Sequence, residues 1–184
     1  MADQKDFSYY QVYLQAGIGQ LQDYLLSDEL FWPLGIQGYL NLTLGGLLYY
    51  QRCAHALVVT ASEQRLYQKI SSELDASRTR WRVAWQRKAT WEFQSRLRQW
   101  GQALNEIRHE AEKNAPYYHS EVRTRVILSL LIPEVGELTS ADQEQYESQN
   151  VLLRTMLKTG AFIWEPELEP AFPQDEFWYL WGQP

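Results

Sequence analysis

The chain has very little of the chemistry that marks a metalloprotein or a disulfide scaffold. Its 184 residues include one cysteine, Cys53, and three histidines. A single cysteine excludes a disulfide within the chain and leaves no thiolate cluster for a structural zinc ion. Internal repeats and low-complexity tracts are also missing, which argues against a solenoid array. We therefore predict one domain with an ordinary apolar core, no metal, no cofactor and no catalytic residue.

Positive charge is also in short supply. The chain has 17 Lys and Arg residues against 23 Asp and Glu residues, so its net charge is -6. This balance disfavours a general nucleic-acid-binding protein, because such proteins neutralise phosphates with surface cations. Residues 1–6 are polar and lack the apolar run of a signal peptide, so we expect a cytoplasmic location.

Aromatic residues, in contrast, are abundant, with eight tryptophans and twelve tyrosines. Each of these side chains buries much apolar area, and its polar tip needs a hydrogen-bond partner. Such a composition suits a well-anchored helical bundle, a protein-interaction surface, or both.

Apolar residues recur at steps of three and four along nearly every readable stretch, which predicts an all-α fold. We predict a single-domain bundle of about five helices, two of them long, over residues 1–160. The predicted helices cover residues 7–25, about 42–74, about 76–112, 122–132 before Pro133, and 140 to Gly160. Asp75 or Ser77 is expected to cap the third helix, and Ser140 with Gln143 to form a capping box at the fifth. Residues 126–132 would also fit a buried strand, but no second strand is evident to pair with it.

The third predicted helix has the clearest core stripe, with steps of four and three residues. Its members are Trp85, Ala89, Phe93, Leu97, Trp100, Leu104, Ile107 and Ala111. This helix is expected to be the centre of the bundle.

The same helix overlaps the one strongly basic part of the chain. Residues 78–98 hold seven basic residues and one acid, Glu92. At about 100° per residue, one set of side chains lies opposite the core stripe. This set, here called the basic strip, consists of Arg80, Arg87, Trp91 and Arg98, with Trp81 and Lys88 on its flank. Arg87 and Trp91 are four residues apart, so we expect a cation–π contact between them.

Residues 161–184, here called the C-terminal tail, contain four prolines, many aromatic residues, five acids and no base. The prolines exclude a continuous helix, and the aromatic content argues against disorder. We predict that the tail docks on the bundle through its large rings, which are Trp164, Phe172, Phe177, Trp178 and Trp181. Opposite charges predict that it docks along the basic strip, either in the same chain or in a second copy.

Three functions follow from the sequence, in descending order. The first is a non-catalytic interaction or scaffold protein that binds another protein or itself, because Trp, Tyr and Arg dominate interface hot spots. The second is association with single-stranded nucleic acid, in which the arginines of the basic strip contact phosphates and Trp91 stacks on a base. The third is a small enzyme or metal-binding bundle centred on His55, which is expected on the apolar face of the second helix.

Residues 30–51 carry no charge and have aromatic residues near both ends, a pattern that also occurs in membrane-spanning helices. Pro33 and four glycines would break such a helix. We therefore predict a buried loop that leads into a helix, and no transmembrane segment. Contact of residues 30–51 with a membrane interface remains an alternative.

Overall fold

A computed structural model describes residues 5–109 and 115–184 of the protein. The described residues form six α-helices, which are α1 (Phe7–Leu26), α2 (Leu44–Ala56), α3 (Ala61–Arg80), α4 (Arg82–His109), α5 (Tyr118–Leu131) and α6 (Ser140–Met156). Short 3-10 helices cover Ala115–Tyr117, Ile132–Glu134, Pro166–Ala171 and Trp178–Leu180, and two strands are β1 (Lys158–Thr159) and β2 (Gly182–Gln183). The predicted all-α class is confirmed, including a helix where a strand at 126–132 was the alternative.

Helix α4 runs through the middle of the bundle and contacts all five other α-helices of the described chain. Its predicted core stripe is confirmed from residue 85 to residue 107, because every member in that range is buried. Trp85 Nε1 also donates a hydrogen bond to Glu134 Oε2 at 2.8 Å, which provides the partner that a buried indole needs. Ala111, the last member, lies outside the described residues.

The second predicted helix, 42–74, is wrong because the chain leaves the helix after Ala56 and starts a new one at Ala61. A capping box on Thr60 starts α3. Thr60 Oγ1 accepts from Glu63 N at 3.2 Å, and Glu63 Oε2 accepts from Thr60 N at 2.8 Å. The backbone N–H groups of Thr60 and Val59 hold the pKa of the Glu63 carboxyl below its usual value. These bonds satisfy donors near the new helix start, so two helices replace one.

Replacing Thr60 with alanine is expected to lower the free energy of unfolding by about 0.5–2 kcal/mol, the usual cost of a lost N-cap side chain. Thr60→Ser keeps the oxygen atom and is expected to stay within about 0.5 kcal/mol of the wild type. Urea denaturation followed by far-UV circular dichroism measures both changes. Equal stability of the alanine variant and the wild type would show that the capping box contributes nothing.

The third predicted helix starts at Arg82, not near Ala76, so neither Asp75 nor Ser77 caps it. Both residues lie inside α3, which continues to Arg80. Only Trp81 leaves the helical region, with φ of -110° and ψ of 31°. The predicted end near Glu112 lies outside the described residues.

Helix α6 is capped by Thr139, whose Oγ1 accepts from Asp142 N at 3.1 Å. The predicted capping box of Ser140 and Gln143 is therefore wrong, because the N-cap residue is Thr139 and not Ser140. The helix ends at Met156 rather than near Gly160, because the chain turns into β1, which pairs antiparallel with β2. Each strand has two residues, too few to leave an alternating pattern in the sequence.

The loop and helix start predicted within residues 30–51 are present, but the predicted burial of the loop is wrong, since most of residues 31–41 are exposed. An antiparallel bridge joins Trp32 to Leu42 and closes the loop between α1 and α2. Gly35 and Gly38 have φ of 70° and 84°, a region that favours glycine. Across residues 5–109 and 115–184, no helix combines the length and apolar character needed to cross a bilayer. Contact of residues 30–51 with a membrane interface stays a prediction.

A buried carboxylate fixes the start of α2. Glu92, from α4, is fully buried, and its Oε2 accepts from Gly45 N at 2.9 Å. Its Oε1 accepts from Arg96 Nε at 2.6 Å, and Arg96 Nη2 donates to Thr43 Oγ1 at 3.3 Å. The carboxylate thus lies at the positive end of the α2 dipole. One cation of the basic segment is therefore neutralised inside the protein.

The C-terminal tail packs on the bundle, as predicted. Its buried side chains are Trp164, Leu168, Phe172, Phe177, Tyr179 and Leu180, while Trp178 and Trp181 are half-buried against the core. Tyr118 of α5 donates from its hydroxyl to Tyr179 O at 2.6 Å. Trp164 Nε1 donates to His119 O at 2.9 Å. The tail is thus a part of the core of its own chain, and exchange of the tail between two copies stays a prediction.

The predicted docking of the tail along the basic strip is wrong. Arginines from three other helices face its rings, with guanidinium carbon to ring centroid distances of 4.5 Å for Arg52 and Phe177, 4.4 Å for Arg125 and Tyr179, and 3.8 Å for Arg154 and Trp178. These arginines are isolated in the sequence and form no charge run. The arginines of the basic strip, in contrast, are exposed. The tail therefore leaves the basic strip open.

Candidate protein-interaction site

The basic strip does not form one continuous surface. Arg80, Arg87 and Arg98 are exposed, and Trp91 is 40% exposed. Arg98 borders a separate groove between α4 and α6. Trp81 is half-buried at the junction of α3 and α4. The strip thus divides into a cluster around residue 81 and a distant arginine.

Lys88 does not extend the strip, because its side chain is turned inward and only 1% of it is exposed. Its ammonium donates to Glu29 O and, at 3.3 Å, to Ser27 Oγ, just beyond the end of α1. Arg87 Nη2 donates to Leu25 O at 3.4 Å. Because the last turn of α1 has no basic residue of its own, these two cations from α4 stabilise its negative end.

The position of Lys88 also determines which cation contacts the ring of Trp91. The predicted contact between Arg87 and Trp91 is wrong, since the cation over the Trp91 ring is Lys88, with Nζ 5.5 Å from the centroid. Burial, and then the neighbouring Arg87 charge, lower the pKa of the Lys88 ammonium below its usual value. One face of Trp91 is therefore already occupied by a buried cation of the same chain.

A groove of about 390 Å³ lies where α1 ends and α3 gives way to α4. It is here called the arginine groove, and its lining residues are Leu26, Arg80, Trp81, Arg82, Val83, Ala84 and Arg87. Two of its apolar residues are strongly exposed, Val83 at 82% and Leu26 at 53%. The groove therefore places two exposed apolar side chains beside three arginines.

The interruption at Trp81 places these residues together. Trp81 N donates to Ser77 O at 2.9 Å, and Trp85 N donates to Trp81 O at 2.8 Å, so the chain stays hydrogen-bonded on both sides of the interruption. One turn after the interruption, Trp85 is held in the core by its hydrogen bond to Glu134. The position of the arginine groove is therefore set by buried contacts on either side.

The arginine groove is positively charged in a protein with a net charge of -6. Among the described residues, three arginines and no acid line it. None of the ion pairs between described residues involves Arg80, Arg82 or Arg87. Within the groove, the Arg80 guanidinium carbon lies 5.3 Å from the Trp81 ring centroid, so it covers an aromatic surface. The groove thus presents three arginines without an ion-pair partner among the described residues beside exposed apolar groups, and one of them, Arg87, also donates to Leu25 O.

His55 does not lie on a buried apolar face, which corrects the sequence prediction. The break after Ala56 ends α2 one residue beyond it, and its side chain is exposed. Its ring stacks on Tyr67 of α3 with 4.9 Å between centroids and an interplanar angle of 20°. The histidine thus connects α2 to α3 at the surface.

The cavity beside His55, about 440 Å³ in volume, also contains Ser129 and Glu134. Each of these two groups is already engaged elsewhere. Ser129 Oγ is bonded to Arg125 Nη1 at 2.7 Å and to the Tyr179 hydroxyl at 2.8 Å, and Glu134 accepts from Trp85. His55 has no hydrogen bond to either group, so these described residues do not assemble a nucleophile and base. The described part of the chain also holds no cluster of potential metal ligands.

Comparison with known proteins identifies no relative, since no family model, no curated protein and no solved structure matches the chain. The class that the fold and the groove define is an all-α bundle with an integral aromatic tail and a cationic, apolar surface groove. The functional argument therefore depends on the groove itself.

Four groove residues, Leu26, Arg82, Val83 and Ala84, were missed by the sequence analysis. Val83 offers a signal in retrospect, because it is an apolar residue off the core stripe with arginines around it. Leu26 offers none, since nothing in the sequence shows that the end of α1 lies beside the junction of α3 and α4.

Proposed function

We propose that the protein is a non-catalytic interaction protein whose arginine groove binds an acidic, amphipathic segment of another protein. The observation that carries this proposal is the combination of three arginines without ion pairs and the exposed side chains of Leu26 and Val83 in one groove. An amphipathic helix with leucines on one face and carboxylates beside them matches both features. The arginines supply orientation and faster association, and the apolar contacts supply affinity.

Single-stranded nucleic acid fits the same surface less well. A nucleic-acid strip needs a stacking ring and a row of cations that follows the phosphate backbone. Here Lys88 occupies one face of Trp91 and is itself buried, and Arg98 borders another groove. The apolar groups Leu26 and Val83 would have no partner on a phosphate backbone. A protein segment therefore agrees better with the groove, and nucleic acid becomes an outcome of the test.

Fluorescence anisotropy with a labelled synthetic peptide tests the proposal. The peptide carries leucines at helical spacing on one face and glutamates elsewhere, and a scrambled peptide of equal composition controls for charge alone. We expect saturable binding of the amphipathic peptide. Val83→Ser and Arg82→Gln are each expected to weaken it about tenfold, or about 1.4 kcal/mol. Neither side chain has a hydrogen bond or an ion pair in the described structure, so both variants should fold.

Matched control variants lie on other surfaces. Val151→Ser changes a valine of α6 that is 64% exposed, and Arg65→Gln changes an exposed arginine of α3. Both are expected to bind the peptide like the wild type. Equal binding of the two peptides, or equal effects of the groove and control variants, would refute the proposal. Tighter binding of oligo(dT) that depends on Trp91 would favour nucleic acid instead.

A further inference from the structure

A second cavity, of about 430 Å³, lies inside the bundle on α5 and the loop after α1, and the arginine groove shares no lining residue with it. This volume is typical of pockets for small molecules. Four helices and the loop build its walls. Tyr13 comes from α1, Tyr39 from the loop, Tyr49 and Tyr50 from α2, Arg96 from α4 and Arg123 from α5. Side chains that converge from so many elements make this a shaped cavity, which is here called the tyrosine cavity.

The tyrosine rings of the cavity pack on one another. Tyr13 stacks on Tyr50 with 3.9 Å between centroids, and Tyr39 lies 6.3 Å from Tyr13 at an angle of 31°. Tyr13 and Tyr50 are buried, so their stacked faces cover each other. Burial raises the pKa of the Tyr13 and Tyr50 hydroxyls above their usual value, so both remain neutral at physiological pH. The phenols therefore form an aromatic wall that adds no negative charge to the tyrosine cavity.

The mouth of the tyrosine cavity is apolar and exposed. Phe31 and Leu40 belong to the loop after α1 and line the cavity, yet about half of each side chain faces solvent, at 45% and 52%. Gly46 lies at the base, where a Cβ atom would come within 3.0 Å of Thr43 Oγ1 and would also crowd the Tyr13 hydroxyl. The absent side chain allows the Tyr13 hydroxyl and Thr43 to pack closely against the backbone of α2.

The two arginines of the tyrosine cavity differ in their hydrogen-bond and ion-pair partners. Arg96 is held by the buried Glu92 at 2.6 Å and by Thr43, so its charge is already balanced. Arg123 is half-buried, and its guanidinium forms no hydrogen bond or ion pair with any residue in the described part of the chain. A guanidinium without a partner in the described structure can donate to an external anion. Arg123 is therefore the group to which an anion would bind.

An adjoining cavity of about 150 Å³ shares Arg123 and Tyr49 with the tyrosine cavity. Lys5 and His119 line it, and Glu165 is the one carboxylate among its described lining residues. Glu165 is exposed and forms no ion pair with Arg123. The charged groups next to Arg123 thus include one further cation and one acid, which leaves the region positive.

We propose that the tyrosine cavity binds a small organic anion, in which an aromatic or other apolar body packs against the exposed Phe31 and Leu40 side chains and a carboxylate, sulfonate or phosphate group meets Arg123. The apolar lining at the mouth contacts the body of such a ligand. The unpaired guanidinium selects an anion, because it offers several donors in a planar arrangement. Arg123 is a binding residue in this proposal, and no reaction is attached to it.

Titration with 8-anilinonaphthalene-1-sulfonate tests this proposal, because the dye is an aromatic anion whose fluorescence rises on binding. N-phenyl-1-naphthylamine, the same ring system without the sulfonate, is the matched neutral probe. We expect one saturable site for the anionic dye in the folded protein. Arg123→Gln is expected to weaken the anionic dye about tenfold or more and the neutral probe by less than about twofold, because only the anion loses a charge-assisted bond.

Three variants complete the design. Arg123→Lys keeps the charge and is expected to retain most of the affinity for the anionic dye. Arg65→Gln controls for loss of an exposed arginine, and Val83→Ser reports on binding in the arginine groove. Thermal melting by circular dichroism establishes that each variant is folded. The proposal is overturned if no saturable site exists, if Arg123→Gln affects both probes equally, or if Val83→Ser removes the dye.

Discussion

Deletion of the C-terminal tail is expected to leave a chain that does not fold. The tail contributes six buried side chains to the core. Each buried apolar side chain of this kind stabilises a protein by about 1.5–3 kcal/mol. Six of them together match the entire stability of a typical domain, about 5–15 kcal/mol. A protein that ends at residue 160 should therefore lack the cooperative thermal transition of the full chain.

A single substitution gives a graded version of the same result. Phe177→Ala is expected to lower the free energy of unfolding by about 3–5 kcal/mol, the usual cost of removing a fully buried phenylalanine. The ring is fully buried, and Arg52 lies 4.5 Å from its centroid. Urea denaturation measures the loss. Gln174→Ala, at an exposed position three residues earlier, is the control and should stay within about 0.5 kcal/mol of the wild type.

An unchanged unfolding midpoint for Phe177→Ala, together with a cooperative melt of the truncated chain, would mean that the tail is an appendage rather than a part of the core. Loss of stability in both proteins is the expected outcome.

Replacing Glu92 with alanine is expected to cost about 3–5 kcal/mol, because it removes one partner of a buried ion pair. The Arg96 guanidinium then keeps only its bond to Thr43, and Gly45 N loses its acceptor at the start of α2. The loss should exceed that of an exposed acid on a helix. Glu144→Ala, on α6, is the matched control and should change stability by less than about 0.5 kcal/mol.

A double-mutant cycle separates the ion pair from simple loss of packing. Glu92→Met combined with Arg96→Met is expected to be more stable than the sum of the single changes predicts, because no uncompensated charge is left behind. The measurement is the free energy of unfolding of the four proteins in urea. Additive effects would show that Glu92 and Arg96 do not stabilise each other.

Periodicity predicted the parts of the fold that depend on burial alone. The stripe from Trp85 to Ile107 is buried because its spacing allows one face of a helix to meet its neighbours, and that spacing is visible in the sequence. Composition predicted that the tail would pack on the bundle, since large aromatic rings such as Phe172 and Phe177 are stabilised by burial. Both predictions depend on local information.

The predicted docking of the tail along the basic strip was wrong because the sum of the charges in a segment does not show which of them have partners inside the protein. Glu92 and Arg96 neutralise each other inside the protein, and the Lys88 ammonium donates to the Glu29 carbonyl and the Ser27 hydroxyl just beyond α1. Glu92 and Arg96 are four residues apart, but Lys88 and Glu29 are far apart in the sequence. The tail accordingly binds Arg52 and other isolated arginines, whose positions next to it arise only in the folded chain.

Helix breaks that occur without glycine or proline could not be predicted from the sequence either. The chain leaves the helix after Ala56 and again at Trp81, where no helix-breaking residue occurs. The break at Thr60 has a capping signal, since threonine precedes Glu63 by three residues, but the apolar period continues across it. The interruption at Trp81 has no such signal. Because that interruption shapes the arginine groove, the candidate site could not be predicted as a whole.

The central claim is that the arginine groove binds an acidic amphipathic segment, and mapping of the bound peptide by NMR tests it most directly. Amide chemical shifts of the labelled protein are followed while the amphipathic peptide is added. The predicted result is a set of saturating shifts confined to the end of α1 near Leu26 and to residues 80–87, with α6 unchanged. Shifts centred on another face, or no saturating shifts at all, would contradict the account.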